Sequence, residues 1–120
     1  MCRSKSVSTV VLDQQIYPPN NGAVVGTEQT ITLQPGTYGR YGTISSQSNY
    51  ITQSGVSASQ LSLPPWNDGV YIKIRVLKPI EGVVQSTVAA WAPWNGVGGG
   101  IQYMLPQPID MLKIAGYLIY

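Results

Sequence analysis

Histidine is absent from all 120 residues. This removes the Ser-His-Asp arrangement, histidine-based ribonuclease chemistry and most zinc sites. The single cysteine, Cys2, cannot close an internal disulfide or build a cysteine-based metal site, so no metal is expected. Charge is scarce: seven Lys and Arg against five Asp and Glu leave a net +2, and charged residues are 10% of the chain. Nucleic-acid and membrane-surface binders cluster many cations. Here only Lys73, Arg75 and Lys78 come close together, and the solvated face of a strand accounts for them equally well. No nucleic-acid partner and no membrane insertion are expected. No apolar run reaches the length of a membrane span, and the opening "MCRSKS" lacks the apolar stretch of a signal peptide.

What is present points to one β-rich domain. Hydrophobic residues make up 43% of the chain, enough for a modest core and too many for disorder. Thirteen glycines, nine prolines and eight tyrosines, with many Thr, Ser and Val, suit short strands and frequent turns. Residues 1–16 give no firm signal and read as a lead-in. "YPPNNG" (17–22) and "LPPWNDG" (63–69) are turns. Strands are expected at 29–33, 37–44, 50–52, 70–78, 83–92 and 101–105, with a closing edge strand in "YLIY". The run 70–78 is the clearest: Val70, Ile72, Ile74 and Val76 share one face, and Tyr71, Lys73 and Arg75 the other. Residues 45–60 are polar and mainly loop. One helix is expected at 107–116. There Pro108 suits the first turn, Asp110 the positive end of the dipole, and Gly116 the position just past the end.

Few polar residues sit in apolar surroundings. Arg40, in "YGRYG", is either a bidentate clamp for phosphate or carboxylate, or an exposed strand residue. Gln102, in "GGGIQYML", is either a core amide or a side chain turned outward, and it is the only polar residue of its strand. The three glycines before it read as a flexible turn, or as backbone that must approach a ligand closely. The tryptophans of "WAPW" (91–94) suit core packing or a platform for a base.

Taken in order, "YPPNNG", "LQPGTYGRYG", "YIKIRVLKPI" and "APWNGVGGGIQYMLP…IDMLKIAGYL" resemble the tuberculosis necrotizing toxin family of NAD glycohydrolases over residues 17–118. The resemblance implies a compact, mainly β (β-rich α+β) single domain of twisted sheets with one C-terminal helix, distantly similar to ADP-ribosyltransferase toxins. It also implies that residues 17–120 form the toxin domain, at the C-terminal end of a larger exported toxin delivered into a target cell's cytoplasm. The activity implied is cleavage of NAD+ to nicotinamide and ADP-ribose, with no cofactor, NADP+ as a second candidate substrate, and a cognate immunity protein as partner. By motif match, the family's functional arginine falls on Arg40 and its functional glutamine on Gln102. Tyr41 shares the Arg40 motif, and Tyr50 and Thr52 fall on an aromatic-x-Ser segment. Gly99 and Gly100 are expected against the ligand. Three departures stand out: Gly39 where the family often has Asp, Leu61 where it often has a second cation, and Trp94-Asn95 in place of Trp-Phe.

The implied reaction suits a chain without histidine. Nicotinamide leaves a ribose carbon as a neutral molecule, so positioning and charge stabilisation matter more than acid catalysis. Arg40 is expected to hold the pyrophosphate, Gln102 the ribose hydroxyls, and Tyr50 and Thr52 the nicotinamide pocket. An ADP-ribosyltransferase and a non-catalytic β-rich binding module are the alternatives.

Overall fold

Alternating apolar and polar residues lay out a single antiparallel sheet. The computed structural model describes residues 17–120, so the expected lead-in lies outside the described residues. The strands are β1 (Gln29–Leu33), β2 (Gly36–Tyr41), β3 (Tyr50–Gln53), β4 (Tyr71–Val76), β5 (Ile80–Thr87), β6 (Ile101–Met104) and β7 (Leu118–Ile119). They lie side by side in the order β1-β5-β6-β3-β2-β4-β7, and every pairing is antiparallel. The architecture is mainly β, as expected. In β4, Ile74 and Val76 are buried while Tyr71, Lys73 and Arg75 are exposed, the pattern of a half-buried strand. Val70 falls outside β4 and is exposed.

Strand β5 departs from the expected 83–92. It starts earlier because of a bulge: Ile31 pairs with Val83 but Leu33 pairs with Ile80, so Glu81 and Gly82 together face Thr32. Gly82 has φ 74, a left-handed conformation that glycine adopts at little cost, and in sequence it looks like a turn. The strand also ends earlier. Past Thr87 the ladder gives way to two isolated bridges, Val88 to Ala23 and Trp91 to Gly96, and Ala92–Trp94 is a 3-10 turn.

Helix α1 (Ile109–Ile114) packs beside β7. It is shorter than the expected 107–116, and Pro108 is its N-cap rather than part of its first turn. Asp110 does sit in the first turn. At the other end Gly116 (φ 83) donates its N–H to Lys113 O at 3.0 Å, and Tyr117 donates to Leu112 O at 2.9 Å. These two bonds form a Schellman motif, which satisfies the last carbonyls and turns the chain into β7. Ile109 and Leu112 are buried with Leu33, Ile51, Ile74, Val76, Ile80, Val83, Tyr103, Leu105 and Leu118, forming the core.

The glycine run ahead of β6 packs against other backbone. Gly99 N–H donates to Val88 O at 2.8 Å, Gly100 N–H to Gln60 O at 3.0 Å, and Val88 N–H returns a bond to Gly100 O at 2.8 Å. Gly98 has φ 71, and a Cβ there would come within 2.5 Å of Ala90 N and 2.7 Å of the Ala89 carbonyl carbon. Gly98→Ala is therefore expected to lose at least about 2 kcal/mol of stability, since φ strain and a rigid backbone clash add. Urea unfolding of the variant measures this, and an unchanged midpoint would refute the close packing.

Candidate functional site

Strand register decides which side chains meet. Thr52 pairs with Gln102, Tyr50 with Met104, and Ser86 with Gln102. Directly paired residues share a face, so Gln102, Thr52, Tyr50 and Ser86 stand together, opposite the face that carries Ile51 and Tyr103. Gly39 pairs with Thr52, which puts Gly39 and, two residues on, Tyr41 on that same face. A cavity of about 590 Å³ opens here. Of the expected site residues, Arg40, Tyr41, Tyr50, Thr52 and Gln102 line it. Gly99 and Gly100 are not among the lining residues, and their N–H groups are bonded to Val88 and Gln60.

Gln102 is held by two partners that are distant in sequence. Its Nε2 donates to Ser86 Oγ at 3.1 Å and to the Asn21 carbonyl at 3.3 Å. A carbonyl only accepts, so Asn21 fixes which end of the amide is NH2. The amide oxygen is then the end left to receive a hydroxyl. The turn around Asn21 supports this arrangement. Asn20, Asn21 and Gly22 all have positive φ (56, 53 and 79), a conformation that asparagine and glycine tolerate best. Gly22 O also accepts from Ala89 N–H at 2.8 Å, which ties the turn to the segment after β5. "PPNNG" was legible as a turn, but its contact with Gln102 spans 81 residues.

Thr52 is buried, and its hydroxyl donates to Ile101 O at 2.6 Å. The Tyr50 hydroxyl lies 3.4 Å from Met104 Sδ, and burial raises its pKa, so the ring stays a neutral wall. The Tyr41 hydroxyl donates to Val56 O at 3.0 Å.

Arg40 reaches the cavity from a different direction. As the neighbour of Tyr41 in β2, its side chain stands on the opposite face. Nε donates to Gly42 O at 3.1 Å, Nη1 to Tyr50 O at 3.0 Å, and Nη2 to Thr43 O at 3.3 Å and Ser48 Oγ at 3.1 Å. Four of its five N–H groups are thus engaged by the chain between 42 and 50. Holding a pyrophosphate through the full fork would require some of these bonds to exchange. Burial lowers the Arg40 pKa and the Asp68 carboxylate opposes that shift, while the group remains a cation.

Sequence reading missed several lining residues: Tyr17, Asn21, Leu63, Asn67 and Val88. Leu61 lines the cavity too, so the wall is apolar where the family pattern often has a cation. Among the described residues, no three side chains of metal-ligating type gather, and no helix is long and apolar enough to cross a membrane.

Two predictions follow from these contacts. Arg40→Ala strands three backbone carbonyls and is expected to cost about 2–3 kcal/mol, the range for lost charged hydrogen bonds. Arg40→Lys should restore little of this, because one ammonium cannot reproduce the planar fork. Denaturant melts of both variants test it, and a wild-type midpoint for Arg40→Ala would overturn the anchoring role. The second concerns acid. The Thr43 hydroxyl, then the N–H groups of Val70 and Thr43 and the charge of Arg40, lower the Asp68 pKa. A depressed folded value gives stability that is present above the unfolded value of about 3.9 and lost as pH falls through the folded one. The melting temperature should therefore drop more steeply below about pH 4 in wild type than in Asp68→Asn. Parallel curves would exclude this contribution.

A family model for tuberculosis necrotizing toxin matches residues 32–120. No curated protein matches the chain by sequence. Among solved structures, a tuberculosis necrotizing toxin complexed with its immunity factor IFT shares the fold, with a TM-score of 0.71 at 24% identity. The likeness covers 87% of this chain and 60% of that one. The family match takes in well over half the chain, from β1 to the C-terminal residue, and the chain belongs to the tuberculosis necrotizing toxin family as one of its toxin domains.

Proposed function

We propose that this domain is an NAD+ glycohydrolase, which cleaves NAD+ to nicotinamide and ADP-ribose. The observation that carries the reading is the oriented Gln102 amide in the wall of a cavity of about 590 Å³. That volume lies within the range of small-molecule sites. With its nitrogen engaged by Ser86 and Asn21, the Gln102 amide offers its oxygen as an acceptor for a ribose hydroxyl, and Thr52 and Tyr50 stand on the same face. In the reaction the bond between C1′ and the pyridinium nitrogen breaks, and its electron pair neutralises the nitrogen. Water forms the new C–O bond and releases a proton to solvent. Hydrogen bonds to the ribose that tighten as positive charge develops at C1′ lower the barrier. The positive charge of Arg40 beside the cavity favours the pyrophosphate. NAD+ is a substrate here, and the mechanism uses no cofactor.

The family is one of toxins, and the solved relative is complexed with its immunity factor. By extension, this domain is delivered into a target cell, drains its NAD+, and is neutralised in the producer by a protein that closes the cavity.

Turnover of a fluorescent NAD+ analogue by the isolated domain tests the activity. Free ADP-ribose without labelled protein separates a hydrolase from an ADP-ribosyltransferase. Gln102→Ala should lower kcat by about two to three powers of ten, or roughly 3–4 kcal/mol, the loss expected for one well-placed transition-state contact. Unchanged kcat in a folded Gln102→Ala would show that the amide only packs.

A further inference from the structure

We infer that Tyr17, Trp66 and Trp94 form a stacking subsite for the purine ring of the substrate, an assignment that rests on the NAD+ reading above. Tyr17 and Trp94 line the cavity. The Trp66 ring centroid lies 5.7 Å from that of Tyr17 and 5.3 Å from that of Trp94, and Tyr17 and Trp94 are 6.0 Å apart. The planes cross at 72°, 79° and 87°, so the three rings meet edge to face as a corner rather than a stack. A corner leaves ring faces uncovered. Tyr17 is 60% and Trp66 58% exposed, a large aromatic surface left in water beside a cavity.

The segment that carries Trp66 is anchored. Asn67 N–H donates to Pro64 O at 3.0 Å, Asn67 Nδ2 reaches Tyr41 O at 3.4 Å, and the Asp68 carboxylate binds Thr43. Trp66 is thus held by both neighbours on its C-terminal side, and a flat ligand meets a prepared surface. Among the described residues, the cation–π contacts lie elsewhere, at Tyr117 and Tyr120.

The polar groups suited to the ribose at the scissile bond stand on β3, β5 and β6, while the aromatic corner comes from segments outside the sheet. A dinucleotide carries its two rings at opposite ends of a pyrophosphate. With the nicotinamide end at Gln102, the corner receives the purine. The apolar Leu61 in the wall adds no second charge beside Arg40 to hold the pyrophosphate, and ring stacking supplies affinity that charge does not.

The test compares wild type, Trp66→Ala and Trp66→Phe in steady-state turnover of NAD+ and of nicotinamide mononucleotide, which lacks the purine half. Calorimetric titration with AMP runs alongside. Trp66→Ala should raise KM for NAD+ about tenfold with kcat within about twofold, the scale of one base–aromatic stack. Its preference for NAD+ over the mononucleotide should fall by the same factor, and AMP should bind about tenfold more weakly. Trp66→Phe should recover most of each loss. An unchanged KM, or an equal loss on both substrates, overturns the purine assignment. If wild type cleaves no NAD+, the hydrolase reading fails while the AMP titrations still decide the subsite.

Discussion

The cavity exists because three stretches of backbone touch. Gly98–Gly100 lie against Val88–Ala90 on one side and Ser59–Gln60 on the other, joined by N–H to carbonyl bonds of 2.8–3.4 Å. The Ser59–Leu61 turn leads directly into Leu61, Ser62, Leu63 and Pro64, four residues that line the cavity. Val88 lines it as well and bridges to Ala23, next to the Asn21 turn that orients Gln102. A side chain at Gly98 or Gly100 would push these segments apart, and with them the walls. The glycines are therefore needed for protein backbone to approach protein backbone, and their effect on a ligand is indirect. The same logic recurs at Gly96, where a Cβ would collide with Ser62 itself, a residue held at φ 49 with its hydroxyl on Ala89 O at 2.7 Å.

Most of the sheet was legible because burial on one face imposes a period of two, and β1 and β4 follow it closely. The pattern failed where the ladder breaks step. The bulge at Glu81–Gly82 presents turn residues inside a strand, and no local signal separates that from a true turn. The site was legible in part. Arg40 and Tyr41 both line the cavity, as their shared motif suggested, but as adjacent strand residues they reach it from opposite faces. The partners of Gln102 were not available, because Asn21 and Ser86 reach it only through strand order and a left-handed turn. Trp66 was hidden in a Pro-Pro-Trp-Asn-Asp-Gly stretch that reads correctly as a turn and gives no sign of where the turn points.

The departures from the family pattern have physical counterparts. At Gly39 a Cβ would run into the ring of Tyr71, which lies across the glycine and packs edge-on against Tyr41 at 5.0 Å. An aspartate at that position could not coexist with Tyr71 in this place. Gly39 and Tyr71 are thus a matched pair, and the ring replaces a charge with apolar cover beside Tyr41. Leu61 makes a parallel exchange in the cavity wall. Both changes lower the polarity around the site, which strengthens the remaining electrostatic contacts, those of Arg40 and Gln102.

The choice of an amide at 102 follows from its neighbours. Asn21 presents a carbonyl oxygen, which demands a donor, and the Gln102 NH2 supplies it. A glutamate at this point of β6 would set a carboxylate oxygen against that carbonyl, with repulsion where there is now a bond. Protonation would relieve the clash but would also remove the negative charge that distinguishes a carboxylate from an amide. Glutamine resolves both demands. Its nitrogen satisfies Asn21 and Ser86, and its oxygen keeps an acceptor at the cavity wall without the cost of burying a charge. The Pro-Pro-Asn-Asn-Gly turn and the strand glutamine therefore constrain each other, although they stand at opposite ends of the described chain.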